Sequence, residues 1–242
     1  MKKVFSLMLF VTSFICFTAC SNDEDEFYTP QEVNLTLDYT FVESGSMTRA
    51  TGESVYNDFY ESHILTKELT PKTYSLRFTN FETNAYAEFN GRWDCKDGVR
   101  LKEGKYIVTG NSTPKQKGIN ASDSVYLTFQ DTVQIVKDMT QLTLKADYNA
   151  FLLMFDAENI KAIAYNPGDN NNSSFPLNKT DENIYYIFMT GVYNQTTNIA
   201  IGRNNNLYSY IYLNKTPFEK GKYYYYNDMT NSFDIHKMES GN

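Results

Sequence analysis

Apolar and polar residues alternate along much of this chain with a period of two. Val33, Leu35 and Leu37 alternate with polar neighbours, and Tyr74, Leu76 and Phe78 share one parity. So do Val125, Leu127 and Phe129, and again Leu142, Leu144 and Ala146. Further on, Leu207, Ser209, Ile211 and Leu213 fall on one side of a strand, with Tyr208, Tyr210 and Tyr212 on the other. Successive side chains of a strand point to opposite faces, so the pattern predicts half-buried antiparallel strands. Turn signals such as Asn90-Gly91, Asp97-Gly98 and Asn166-Pro167-Gly168-Asp169 punctuate them. Only Ser54 to Leu69 reads otherwise, as a short helix or irregular crossover. Many short strands without strand–helix alternation predict an all-β fold of antiparallel β-sandwiches.

A six-residue pattern occurs twice. Leu101-Lys102-Glu103-Gly104-Lys105-Tyr106 is echoed by Phe218-Glu219-Lys220-Gly221-Lys222-Tyr223. In each, the Gly suits a tight turn with positive φ and the Tyr starts a strand facing inward. The echo, near the end of each half, points to two tandem domains, 31–138 and 139–242, with a boundary near Asp138.

The first residues break the pattern. Lys2 and Lys3 precede an almost wholly apolar run from Val4 to Ala19, shorter than the ~20 residues a spanning helix needs. A basic start, a short apolar core and a small residue at its end predict an export signal over 1–19, cleaved between Ala19 and Cys20. No comparable apolar stretch follows, so the mature chain is not expected to be an integral membrane protein. Phe17-Thr18-Ala19-Cys20 resembles the lipobox of bacterial lipoproteins, with Phe17 where Leu is usual. The resemblance implies acylation of Cys20. Residues 20–30 then form a linker whose acids, Asp23 to Glu26, repel one another and stay solvated. Ser21 with those acids also looks like the surface-export signal of Bacteroidota lipoproteins. It implies a lipid anchor in the outer membrane with the chain facing outward.

Charge and composition narrow the function. The chain carries 22 basic and 29 acidic residues, a net of −7; losing the leader removes Lys2 and Lys3 and no acid, leaving −9. Such a surface is a poor match for nucleic acid. Cys16 lies in the leader and Cys20 takes the lipid, so Cys95 has no disulfide partner and reads as a small apolar residue near a turn. His63 and His236 lie far apart, without acidic or Cys partners in a metal-ligand spacing. The Asp169 to Asn172 turn lacks the ordered acids of a calcium loop. No nucleophile elbow, phosphate loop or paired catalytic carboxylates are visible. The expectation is a non-catalytic protein without cofactor or metal.

Cys20, the strand Val33 to Val42, the segment Met47-Thr48-Arg49-Ala50 and the two Gly-Lys-Tyr turns together resemble the fimbrillin-like surface lipoproteins of Bacteroidota. That resemblance implies two transthyretin-like β-sandwich domains. In polymerising members an Arg-specific protease cuts the loop, the first strand is lost, and a neighbour's strand fills the groove. Carried over, the cut falls between Arg49 and Ala50, and Glu32 to Val42 is displaced. The same loop is also rich in Ser, Gly and Thr, a composition found in ordinary surface loops.

Two further features bear on partners. Asp123-Ser124-Val125 and Asp131-Thr132-Val133 resemble the O-glycosylation acceptor pattern of Bacteroidota secreted proteins, with Ser124 and Thr132 as acceptors. Tyr208, Tyr210 and Tyr212 could form an aromatic platform for sugar rings, although cross-strand aromatics also stabilise sheets. The leading expectation is an adhesive or fimbrial surface lipoprotein assembled by β-strand addition, with other fimbrial subunits as partners. The alternative is a glycan-binding lipoprotein that captures polysaccharide.

Overall fold

The computed structural model describes residues 30–39, 54–92, 98–114, 116–169, 171–191, 194–215, 218–227 and 232–236. Ala19, Cys20, Arg49, Ala50 and Cys95 lie outside them. Among the described residues the fold is all-β apart from short helical turns. The strands of the first half are β1 (Gln31–Tyr39), β2 (Thr73–Asn80), β3 (Tyr86–Arg92), β4 (Gly98–Leu101), β5 (Gly104–Ser112), β6 (Ala121–Ser122), β7 (Leu127–Ile135) and β8 (Gln141–Tyr148). The second half holds β9 (Phe151–Asp156), β10 (Ile160–Asn166), β11 (Phe175–Pro176), β12 (Asn178–Lys179), β13 (Ile184–Met189), β14 (Asn198–Arg203), β15 (Tyr208–Tyr212), β16 (Tyr223–Asn227) and β17 (Ser232–His236).

The first sheet runs β3-β2-β5-β7-β8-β1-β4. Its halves are joined narrowly, because β7 meets β8 only at Leu127 opposite Tyr148 and Thr128 opposite Asp147. Leu76, Phe78 and Val108 from one wing share a core with Val33, Leu35 and Leu144 from the other. The sheet therefore closes on itself as a sandwich. The alternating positions predicted for β1, β2 and β8 are the ones that fill this core.

The same strand order recurs. The four-strand wing β3-β2-β5-β7 has its counterpart in the sheet β11-β10-β14-β15, and β8-β1-β4 in β16-β9-β13. In each half the opening strand pairs in parallel with a strand near its end, β1 with β8 and β9 with β16. Even the hydrogen bond that opens the pairing repeats: Asn34 N–H donates to Thr140 O, and Leu152 N–H to Lys222 O, both at 3.0 Å. β8 pairs with β1 and with β7, so it belongs to the sheet of the first half. The Gly-Lys-Tyr echo falls on non-equivalent turns, Gly104 leading into β5 and Gly221 into β16. Both glycines do have positive φ, 144° and 74°, and both Tyr106 and Tyr223 face inward. Before β8, Asp138 also has positive φ, 61°, one register position further from its strand than Gly221 is from β16.

β9 is buried on both sides. Phe151, Leu153 and Phe155 enter the core of the second unit, while Leu152 and Met154 join the core shared with the first. A strand covered on both faces reads as a continuous apolar run, and Phe151-Leu152-Leu153-Met154-Phe155 is one. A helical wedge lies against its outer face: α1 (Ser54–Phe59) followed by a π-helical turn over Tyr60–Leu65. Tyr56, Phe59 and Ile64 are its buried side chains. β6 adds a second link, pairing with β13 at Ser122 opposite Phe188.

Candidate functional site

β1 is both the first of the described strands and an interior strand of its sheet. It runs parallel to β8 from Asn34 opposite Gln141 to Tyr39 opposite Ala146, and antiparallel to β4 from Gln31 opposite Leu101 to Asn34 opposite Gly98. Val33 and Leu35 are fully or almost fully buried, and Leu37 packs against the same core. Removing β1 would bare the paired edges of β8 and β4 and open a cleft bordered by the buried side chains Val99 and Leu101 on β4 and Leu142 and Leu144 on β8. Such a cleft presents backbone donors and acceptors along its sides and apolar pockets at a two-residue spacing, which is what an incoming strand requires. The counterpart strand β9 lies mid-chain and carries both cores, so it cannot leave in this way.

The wedge that follows the 40–53 segment is held by the second unit. Tyr56 Oη accepts a hydrogen bond from Asp156 N–H at 3.1 Å and donates to Tyr226 O at 3.3 Å. His63 Nε2 meets Glu182 Oε2 at 2.9 Å, and its Nδ1 meets Glu68 Oε2 at 2.5 Å. Glu182 lies 119 positions from His63 and reaches it only through the packing of the two halves, so no local pattern marks that pair. Burial lowers the His63 pKa, but the hydrogen bonds and charges of Glu182 and Glu68 outweigh it and raise the net value. Glu182 falls to about 2, chiefly through its hydrogen bond with His63. Among the described residues no cluster of His, Cys, Asp or Glu is arranged to hold a metal ion.

The three tyrosines of β15 stand on one face, 72%, 56% and 41% exposed at Tyr208, Tyr210 and Tyr212. Their cross-strand neighbours on β14 are small or polar: Gly202, Ala200 and Asn198. A Cβ on Gly202 would lie 3.1 Å from Tyr208 Cε1, so the Tyr208 ring covers the glycine. Ile211, on the opposite parity, packs into the second core. The tyrosine face of the predicted strand points outward and Ile211 and Leu213 turn inward, but Leu207, expected on the inner face, is 61% exposed just before the strand begins.

The acceptor positions differ in access. Thr132 is exposed on β7, its backbone N–H donating to Asp131 Oδ1 at 2.7 Å. Ser124 is half-buried in a turn whose Asp123 faces Lys117 Nζ at 3.3 Å. In the Asp169 turn both carboxylate oxygens accept from Ser173, which lowers the Asp169 pKa. No helix among the described residues is long and apolar enough to cross a membrane.

No family model and no curated protein matches the sequence. Solved structures with a similar arrangement include a fimbrial assembly protein from Parabacteroides distasonis. It is 12% identical with a TM-score of 0.44, over 85% of this chain and 98% of that one. Another is a fimbrial protein from Bacteroides ovatus, 7% identical with a TM-score of 0.47, over 81% of this chain and 48% of that one.

Proposed function

We propose that this chain is a non-catalytic surface lipoprotein of two transthyretin-like sandwich domains, held in the outer membrane by acylated Cys20, that adheres or assembles by β-strand addition. The carrying observation is the position of β1: first among the described strands, interior in its sheet, and a contributor of Val33 and Leu35 to the core. Cleavage between Arg49 and Ala50 severs only the segment 40–53 that joins β1 to the wedge. The strand can then leave without breaking the rest of the fold. A neighbouring subunit's strand enters between β8 and β4. Its main-chain hydrogen bonds supply affinity and its alternate side chains refill the Val33 and Leu35 pockets.

The test is treatment of the full chain with an Arg-specific protease, followed by a denaturing gel run without boiling. The reading expects loss of the segment before Ala50 and a ladder of oligomers, neither of which forms with Arg49→Ala. A trimmed chain that stays monomeric would overturn it.

A second reading rests on the outward face of β15. Three tyrosines in one exposed row suit contact with the faces of sugar rings. It predicts retardation in an affinity gel containing polysaccharide, lost with Tyr210→Ala, and no ladder.

A further inference from the structure

The first unit carries a concave cavity of about 490 Å³ that strand exchange does not use. It lies across β2, β3 and β5, on the face turned away from the core. Strand register assembles it. Ser75 sits between Asn90 on β3 and Asn111 on β5, and one step along the strand Arg77 sits between Glu88 and Thr109. Gly110 lets the strands close up beneath it. A Cβ there would come within 2.1 Å of the Ser75 carbonyl oxygen and 3.0 Å of Leu76 Cα. No other residue fits so near approach of two backbones. The volume falls within the ~300–1,000 Å³ common to ligand sites.

The lining combines hydroxyls, amides and one ion pair, and local bonds fix much of it. Ser75 Oγ donates to Asn90 Oδ1 at 2.5 Å, which leaves the Asn90 amide nitrogen as a donor. Arg77 donates through Nε and Nη2 to Glu88 Oε1 at 3.1 and 2.5 Å, leaving Oε2 as an acceptor. The guanidinium also stands 4.6 Å from the centre of the Tyr86 ring. Tyr86 is next along the same face of β3 and is 63% exposed.

We propose that this cavity is a saccharide site, taking an uncharged terminal sugar of a glycan. The sugar hydroxyls bond Asn90, Asn111 and Glu88, and the Tyr86 ring packs on the adjoining sugar. Three observations select this ligand class. Arg77 and Glu88 cancel, so the site has no net charge to select a phosphate or carboxylate. Donors and acceptors are interspersed, as vicinal hydroxyls require. β2 is paired on both sides by β3 and β5, so its backbone cannot take a peptide strand. The site is separate from β1 and from the β15 tyrosines, and it stands whether or not strand exchange occurs.

The experiment applies the full-length lipoprotein, in detergent, to an array of oligosaccharides ending in glucose, galactose, mannose or N-acetylglucosamine. Calorimetry with the strongest binder follows. Replacing both Asn90 and Asn111 by Ala should weaken binding by about tenfold or more and leave the melting temperature unchanged. If that variant melts lower, Glu88→Gln, which keeps volume, decides by the same loss. Failure of every array sugar to bind would overturn the proposal. So would binding that survives these changes but is lost with Tyr210→Ala. Protease trimming and ladder formation are read separately, so the strand-exchange reading and this one fail independently.

Discussion

His63 Nε2 lies 2.9 Å from a carboxylate oxygen of Glu182, 119 positions away in the chain. With Glu68 on the other ring nitrogen, both nitrogens face acceptors, an arrangement that only the protonated imidazole satisfies. The raised His63 pKa contributes stability that is fully present below about 6.5 and lost as pH rises through the folded value. The lowered Glu182 pKa contributes stability present above about 4.5 and lost as pH falls toward 2. The pair is therefore strongest between about pH 4.5 and 6.5. His63→Gln should lower the melting temperature by about 2–4 °C at pH 5.5, for a contribution of about 1 kcal/mol, and by much less at pH 9. Calorimetry across pH 3–9 checks this, and a deficit that grows with pH would contradict it.

β9 predicts cooperativity. Leu152 and Leu153 are both fully buried, one in each core. Leu152→Ala and Leu153→Ala should each cost about 2–5 kcal/mol. Because one strand carries both cores, either change should shift a single unfolding transition seen alike by circular dichroism and by hydrogen exchange in both units. Two separated transitions would show that the halves unfold independently.

These cases also show what the sequence could and could not reveal. Strands with one face in the core alternate, so β1, β2, β8 and β15 could be read directly. β9 and β13, apolar on both faces, carry no period-two signal to separate strand from buried helix. The echoed Gly-Lys-Tyr turns were legible as positive-φ glycines, but they lead into strands at different places in the sheets. The saccharide cavity and the His63 clamp depend on residues brought together by register and by docking of the two units. No local pattern marks either.

The two positive-φ turns can be tested. Gly221, φ 74°, stands two residues before β16, and Asp138, φ 61°, three before β8. Gly221→Ala should destabilise by about 1–2 kcal/mol, because a Cβ is disfavoured in the left-handed region. Asp138→Gly should be nearly neutral, since Asp tolerates that region. Urea titration of both variants distinguishes the two.

The β15 tyrosines should matter little to stability. Tyr210 is more than half exposed and has Ala200 as its cross-strand neighbour. Tyr210→Ala should change unfolding free energy by less than about 1 kcal/mol, measured by urea titration. A larger loss would mark the row as part of the sheet's own support and remove the ground for reading it as a contact surface.

Strand exchange makes a demand on what stays behind. After a cut at Arg49 the new chain start leads into the wedge, and the wedge is pinned by bonds that do not involve β1. Tyr56 Oη bridges Asp156 N–H and Tyr226 O, and His63 holds Glu182. A chain beginning at Ala50 should therefore still fold but, lacking Val33 and Leu35, melt lower, in one transition like the full chain. Losing two buried side chains of that size removes about 3–6 kcal/mol of apolar burial. A synthetic peptide of residues 31–39 should restore the melting temperature in a concentration-dependent way, as ligand binding to the folded state requires. The same peptide with Leu35→Asp should not, because its carboxylate would enter an apolar pocket without a partner. Rescue by both peptides alike would mean that backbone pairing alone selects the strand, and the pockets would then have no part in choosing a partner.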